Sequence, residues 1–66
     1  MKITINGQKK TFTAPLDLQA ALAQQGFGGM LVAVARNGTF VPRGQYANTN
    51  LNDGDEIEIV APMQGG

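Results

Sequence analysis

The sequence has 66 residues, five basic and five acidic side chains for a formal net charge of zero, and neither cysteine nor histidine. A chain this short makes one domain that buries only about 60% of its unfolded surface, leaving little room for an internal active-site cavity. Without thiols or imidazoles, disulfides, thiolate or histidine metal sites and Cys-His or Ser-His catalysis are excluded; without a basic excess or a long apolar run, neither nucleic acid nor a membrane is an expected partner.

Lys2 to Asn6 alternates, with Ile3 and Ile5 on one face and Lys2 and Thr4 on the other, which predicts a strand. Asn6-Gly7 is a strong short-range hairpin signal. Gln8 to Thr13 reads as the return strand, with Phe12 its core residue and Lys9 and Lys10 suited to a sheet edge. Asp17 is placed to cap a helix N-terminus. Leu18 to Gln25 has good helix propensity, and Leu18, Ala21 and Leu22 share one narrow apolar face. Gly26 suits the residue just past a helix end. Phe27-Gly28-Gly29 follows as a flexible connection; no Lys-Ser/Thr pair accompanies it, so a phosphate loop is disfavoured.

Met30 to Arg36 predicts a third strand, with Val32 and Val34 inward and Ala33 and Ala35 outward. Asn37-Gly38 is a second turn, and Thr39-Phe40-Val41 a short strand stopped by Pro42. Arg43 to Asn50 reads as irregular, with one helical turn carrying Tyr46; Leu51 is a core plug. Asn52-Asp53-Gly54-Asp55 makes a turn, and Glu56 to Ala61 a last strand with Ile57 and Ile59 inward. The first and last strands are expected to pair in parallel at the centre of a mixed sheet packed on one main helix. That is an α+β architecture of the β-grasp type, spanning residues 1–62, with a flexible tail over 63–66.

The residues able to carry chemistry are few. Asp53, Asp55, Glu56 and Glu58 lack the spacing of a calcium loop and read as turn chemistry plus a solvated strand face. No metal site is expected. The basic residues are spread over several elements without an aromatic platform, against single-stranded nucleic acid. The informative segment is Met63-Gln64-Gly65-Gly66. Two glycines without side chains let a terminal carboxylate pass through a narrow slot into another protein's active site. A carboxylate is a poor electrophile until it becomes a mixed anhydride, so a partner using ATP is implied. Met63 reads as solvated filler or as an anchor in a partner groove. Strand alternation places Val60, Ala33 and Ala35 on the outer face of the sheet, with Phe40 flanking them; this apolar patch beside the tail is a natural docking surface.

The segments Met1-Lys2-Ile3-Thr4-Ile5-Asn6-Gly7, Val32-Ala33-Val34-Ala35-Arg36-Asn37-Gly38, Phe40-Val41-Pro42-Arg43, Leu51 to Val60 and Gln64-Gly65-Gly66 together resemble the ThiS family of sulfur carriers of thiamine biosynthesis, within the ubiquitin-like β-grasp superfamily. The resemblance covers nearly the whole chain. Tyr46 departs from it, standing where relatives often carry tryptophan, and Phe27-Gly28-Gly29-Met30 is unusually flexible for the approach to the third strand. The lack of cysteine fits a reducing cytosol, and a cytoplasmic protein, monomeric alone, is expected; the resemblance implies one that is acted on rather than catalytic. An E1-like adenylyltransferase of ThiF type would convert the Gly66 carboxylate to an acyl-adenylate using MgATP, with no cofactor held by the chain itself. A persulfide donor, such as a cysteine desulfurase, would then supply sulfur and leave a Gly66 thiocarboxylate. A thiazole synthase of ThiG type would receive that sulfur. Gly65, Gln64 and Met63 would thread the tail. Related carriers serving molybdopterin synthesis, tRNA thiolation or protein tagging are the alternative.

Overall fold

The computed structural model describes residues 1–61; Pro62, Met63, Gln64, Gly65 and Gly66 lie outside the described residues, and with them the expected boundary between domain and tail. The elements are β1 (Lys2–Ile5), β2 (Gln8–Thr11), α1 (Leu18–Gln24), β3 (Ala33–Arg36), β4 (Thr39–Val41), a 3-10 helix (Arg43–Asn48) and β5 (Glu56–Val60). The five strands form one sheet in the order β2-β1-β5-β3-β4. β1 and β5 run parallel, and the other neighbours are antiparallel. This is the mixed β-grasp sheet expected from the chain order, with α1 on one face.

Local chemistry accounts for most of it. Both hairpins turn on Asn-Gly pairs in which each residue has positive φ: Asn6 (50°) with Gly7 (83°), and Asn37 (49°) with Gly38 (82°). That conformation matches the twist of paired strands and admits little besides Asn, Asp and Gly. Asp17 caps α1, its Oδ1 accepting from the Ala20 N–H at 2.7 Å. The helix ends as Gly26 turns to φ +88°; the Gly26 N–H donates to the Ala23 carbonyl and the Phe27 N–H to that of Leu22. These two bonds close the last turn and satisfy carbonyls the helix leaves open.

Period-2 alternation in the strands and the single apolar stripe of α1 meet in one core. Ile3, Leu18, Val34 and Ile57 are the most completely buried large side chains, joined by Ile5, Phe12, Leu22, Val32, Leu51 and Ile59. Leu16, Ala21, Val41 and Tyr46 complete it. Full burial of each large aliphatic side chain is worth about 1.5–3 kcal/mol.

β1, α1 and β5 each end one residue earlier than expected, and three further elements differ by more. β3 starts at Ala33 rather than Met30. Its ladder to β5 ends at Ala33↔Val60 and its ladder to β4 at Val34↔Val41, so among the described residues no strand pairs with residues 30–32. β2 ends at Thr11, although the Phe12 N–H still donates to the Met1 carbonyl at 2.9 Å. The segment after Pro42, expected to be irregular with one helical turn carrying Tyr46, is a six-residue 3-10 helix. It delivers Tyr46 into the core, where the hydroxyl donates to the Val32 carbonyl at 3.2 Å. That bond occupies a carbonyl just outside the β3 ladder, as a buried polar group requires.

Candidate functional site

The outer face of the sheet is divided in two. On the β1–β2 side it carries Lys2, Thr4 and Lys9, bordered by Glu56. On the β3–β4 side it is apolar. Val60 lies opposite Ala33, and Ala35 lies opposite both Glu58 and Phe40. Val60 and Phe40 are each 65% exposed, and Leu31 is 63% exposed. These three, with Met30, are the exposed large apolar side chains among the described residues. Ala33, Ala35, Phe40, Glu58 and Val60 line a shallow depression of about 190 Å³. A second, of about 300 Å³, lies between Leu31, Val32, Ala33 and Val60. Exposed apolar groups gathered on one rigid face, rather than scattered singly, mark a surface suited to contact with another protein.

All four residues expected on this face are there, and the fold adds Leu31. Leu31 has the same parity as Ala33 and Ala35, so continuing the alternation two residues upstream would have found it. Met30 sits elsewhere, lining a helix-side cavity of about 350 Å³ with Leu22, Ala23, Phe27 and Tyr46. Gly66, Gly65, Gln64 and Met63, the expected reacting group and its thread, lie outside the described residues. What the structure does describe is the strand that leads to them: β5 ends at Val60, and Ala61 is exposed.

The end of β5 is held from two sides. The Ala33↔Val60 pairing holds it on the β3 side. On the β1 side the parallel ladder finishes early, with the Asn6 N–H donating to the Ile57 carbonyl at 2.9 Å. Beyond that point the Asn6 side chain replaces a strand. Its Oδ1 accepts from the Ile59 N–H at 2.8 Å and its Nδ2 donates to the Ile59 carbonyl at 3.1 Å. The sequence marked Asn6 only as a turn residue.

At the opposite end of β5 the expected solvated acidic face is only partly realised. Glu56 and Glu58 are exposed, and the Asp53 Oδ1 accepts from the Lys2 N–H. Asp55 is instead buried, at 6% exposure. Its carboxylate accepts from Arg36 Nε (2.9 Å), Asn37 Nδ2 (3.1 Å) and the Asn52 N–H (2.8 Å). Burial pushes the Asp55 carboxyl up, but the Asn52 N–H, the Asn37 carboxamide and the Arg36 guanidinium outweigh it and hold the group below its ordinary range. Asn37 completes the knot, its Oδ1 accepting from the Glu56 N–H at 2.9 Å. This network ties the β3–β4 turn to the start of β5 and presents no open carboxylate for chemistry. Among the described residues no group of three or more His, Cys, Asp or Glu side chains is arranged to hold a metal ion. No helix among them is long and apolar enough to cross a membrane.

Comparison with known proteins gives a consistent picture. The ThiS family model matches residues 3–66. The chain is 44% identical over its full length to part of a thiazole synthase of Paramagnetospirillum magneticum, and spans about a fifth (20%) of that protein's length. It is 33% identical to the uncharacterized protein ycf40 of Porphyra purpurea, covering all of this chain and 93% of the relative. Its fold is similar to the crystal structure of a thiamine biosynthesis protein (ThiS) from Geobacter metallireducens, with a TM-score of 0.81, 30% identity and full coverage of both chains.

Proposed function

The chain belongs to the ThiS family, and from that premise we propose that it is a sulfur carrier of thiamine biosynthesis whose Gly66 carboxylate is activated and converted to a thiocarboxylate. In this reading a ThiF-type adenylyltransferase binds MgATP and the tail together. The carboxylate attacks the α-phosphorus, pyrophosphate leaves, and the resulting acyl-adenylate has an electrophilic carbonyl. The terminal sulfur of a persulfide, formed by a donor such as a cysteine desulfurase, displaces AMP. Reduction by a thiol then frees the thiocarboxylate, and a ThiG-type thiazole synthase takes its sulfur. The carrier contributes no general acid or base and no cofactor. Its own residues provide a handle and a thread.

The observation that carries this reading is the extent of the family match, which runs through Gly65 and Gly66. The architecture supports it. The apolar half of the sheet, formed by Leu31, Ala33, Ala35, Phe40 and Val60, is exposed at the root of the tail. Docking there would fix the body while Met63, Gln64 and Gly65 span the distance to the ATP site. Side-chain-free residues next to the reacting carbon let enclosing walls approach its backbone. The full-length match to part of a thiazole synthase supports that enzyme class as the recipient.

The test is incubation with the adenylyltransferase, MgATP and a sulfide source, read by intact-mass and fragment spectra. One oxygen should be replaced by sulfur, at Gly66. Sulfur at any other residue, or an unchanged mass with an adenylyltransferase shown to be active, overturns the reading.

A further inference from the structure

The clamp between Asn6 and Ile59 stands outside the docking face and outside the reacting tail, yet it holds the strand from which the tail departs. We infer that Asn6 is a positioning residue for activation at Gly66, an inference that rests on the carrier reading above. Three observations carry it.

First, the β1 backbone stops pairing with β5 at Asn6, where the chain turns away at φ 50°, while β5 continues to Val60. The Ile59 N–H and carbonyl would then face an empty edge. Second, one carboxamide meets both groups, at 2.8 and 3.1 Å, in the donor–acceptor order that an adjoining strand would offer. A carboxamide, as in Asn and Gln, carries a donor and an acceptor side by side on one planar group, and Asn is the one of the two compatible with this turn. Third, nothing else among the described residues grips that edge beyond Ile57: the next residue, Val60, is held only from the β3 side. A strand held along one edge hinges about that edge.

The consequence is a shift of the strand end. Ile59 lies two residues before Ala61, the last described residue, so movement of this end moves the point from which the tail departs, and a misplacement of about 1 Å already costs a reaction severely. Leu31, Ala33, Ala35 and Phe40 lie on β3, on β4 and on the segment just before β3, so loosening the β1 edge of β5 leaves most of the handle in place. Asn6 therefore acts on the turnover of the docked carrier rather than on its affinity.

The experiment compares the parent chain with Asn6→Gly and Asn6→Asp. Glycine accepts the positive φ and removes only the carboxamide. Aspartate keeps the turn and the acceptor for the Ile59 N–H but sets a carboxylate against the Ile59 carbonyl, and it serves if the glycine variant does not fold. Amide hydrogen exchange at Ile59 should accelerate by about fivefold or more, the worth of about one hydrogen bond. In adenylation assays with the carrier as varied substrate, kcat should fall about tenfold while KM stays within about twofold. Loss of fold alone would lower the active concentration and raise the apparent KM, so the split separates positioning from stability. A parent chain that is not adenylated sinks the carrier reading and this inference with it. An active parent with kcat unchanged in both variants, or with the loss confined to KM, sinks this inference alone.

Discussion

Replacing Asp55 by alanine is the sharpest test of how this small fold is held together. The carboxylate accepts hydrogen bonds from Arg36, Asn37 and the Asn52 N–H at 2.8 to 3.1 Å while only 6% exposed. Bonds to a charged group are worth about 1.5–3 kcal/mol each, so three at the lower figure come to about 4–5 kcal/mol. Arg36 keeps 28% of its side chain in water and recovers part of its share there. The variant also avoids burying a charge, which leaves a net loss of about 3 kcal/mol. A 66-residue domain has about 3–10 kcal/mol of stability in all. With a urea slope of about 1 kcal/mol/M, the midpoint should fall by about 3 M. Circular dichroism or the fluorescence of Tyr46, the only tyrosine, would follow the transition.

The same group predicts the acid limb. Its folded pKa lies below the ordinary 3.8, so its contribution is fully present above that value and is lost as pH falls through the lower, folded one. The stability difference between parent and Asp55→Asn should therefore be constant near neutrality and shrink below about pH 4. An Asp55→Ala penalty under about 1 kcal/mol, or a parent–Asp55→Asn difference that stays flat from about pH 6 to about pH 3, would refute the reasoning.

Ile57→Ala removes a side chain 2% exposed at the centre of the sheet and should cost about 2–5 kcal/mol in equilibrium unfolding; an unchanged curve would mean that the register of β5 is wrong. Val60→Asp and Leu31→Asp should leave unfolding within about 0.5 kcal/mol, since both side chains are exposed. By calorimetric titration each should weaken binding to the adenylyltransferase by about 2 kcal/mol or more, a charge being buried without a partner. Unchanged affinity in both variants would remove the apolar face from the interface.

Much of the fold is legible in local patterns because local chemistry decides it. The isoleucines of β1 and β5 alternate, the Asn-Gly pairs fix both hairpins, and Asp17 and Gly26 bracket the helix. Strand ends are less legible, because a strand stops where its neighbour stops. Met30 and Leu31 have strand-like composition but lie beyond the last ladder pair, and only the register shows it. Asp55 is the clearest case. In sequence it is one acid in a run of four, and what buries it is Arg36 and Asn37, 19 and 18 residues away. The placement of Val60, Ala33, Ala35 and Phe40 on the outer face of the sheet is legible because strand parity is a two-residue rule. Asn6 escaped notice as a clamp because its partner is 53 residues away.

The position of β5 has a consequence for how the chain acquires its structure. The strand made last is inserted between β1 and β3, two of the earlier ones. Until it arrives, the hairpins β1–β2 and β3–β4 each expose a further unpaired edge, on β1 and on β3, and Ile57 and Ile59 are missing from the core. The contacts that close the sheet join residues about fifty apart in a short chain, a high relative contact order that slows folding. Any nascent or truncated chain lacking residues 56–60 is left with two open strand edges more than the complete sheet, an arrangement prone to pairing with another copy. The same strand completes the sheet and precedes residues 62–66, so in the carrier reading proposed above Gly66 is offered on a complete sheet only once β5 is in place.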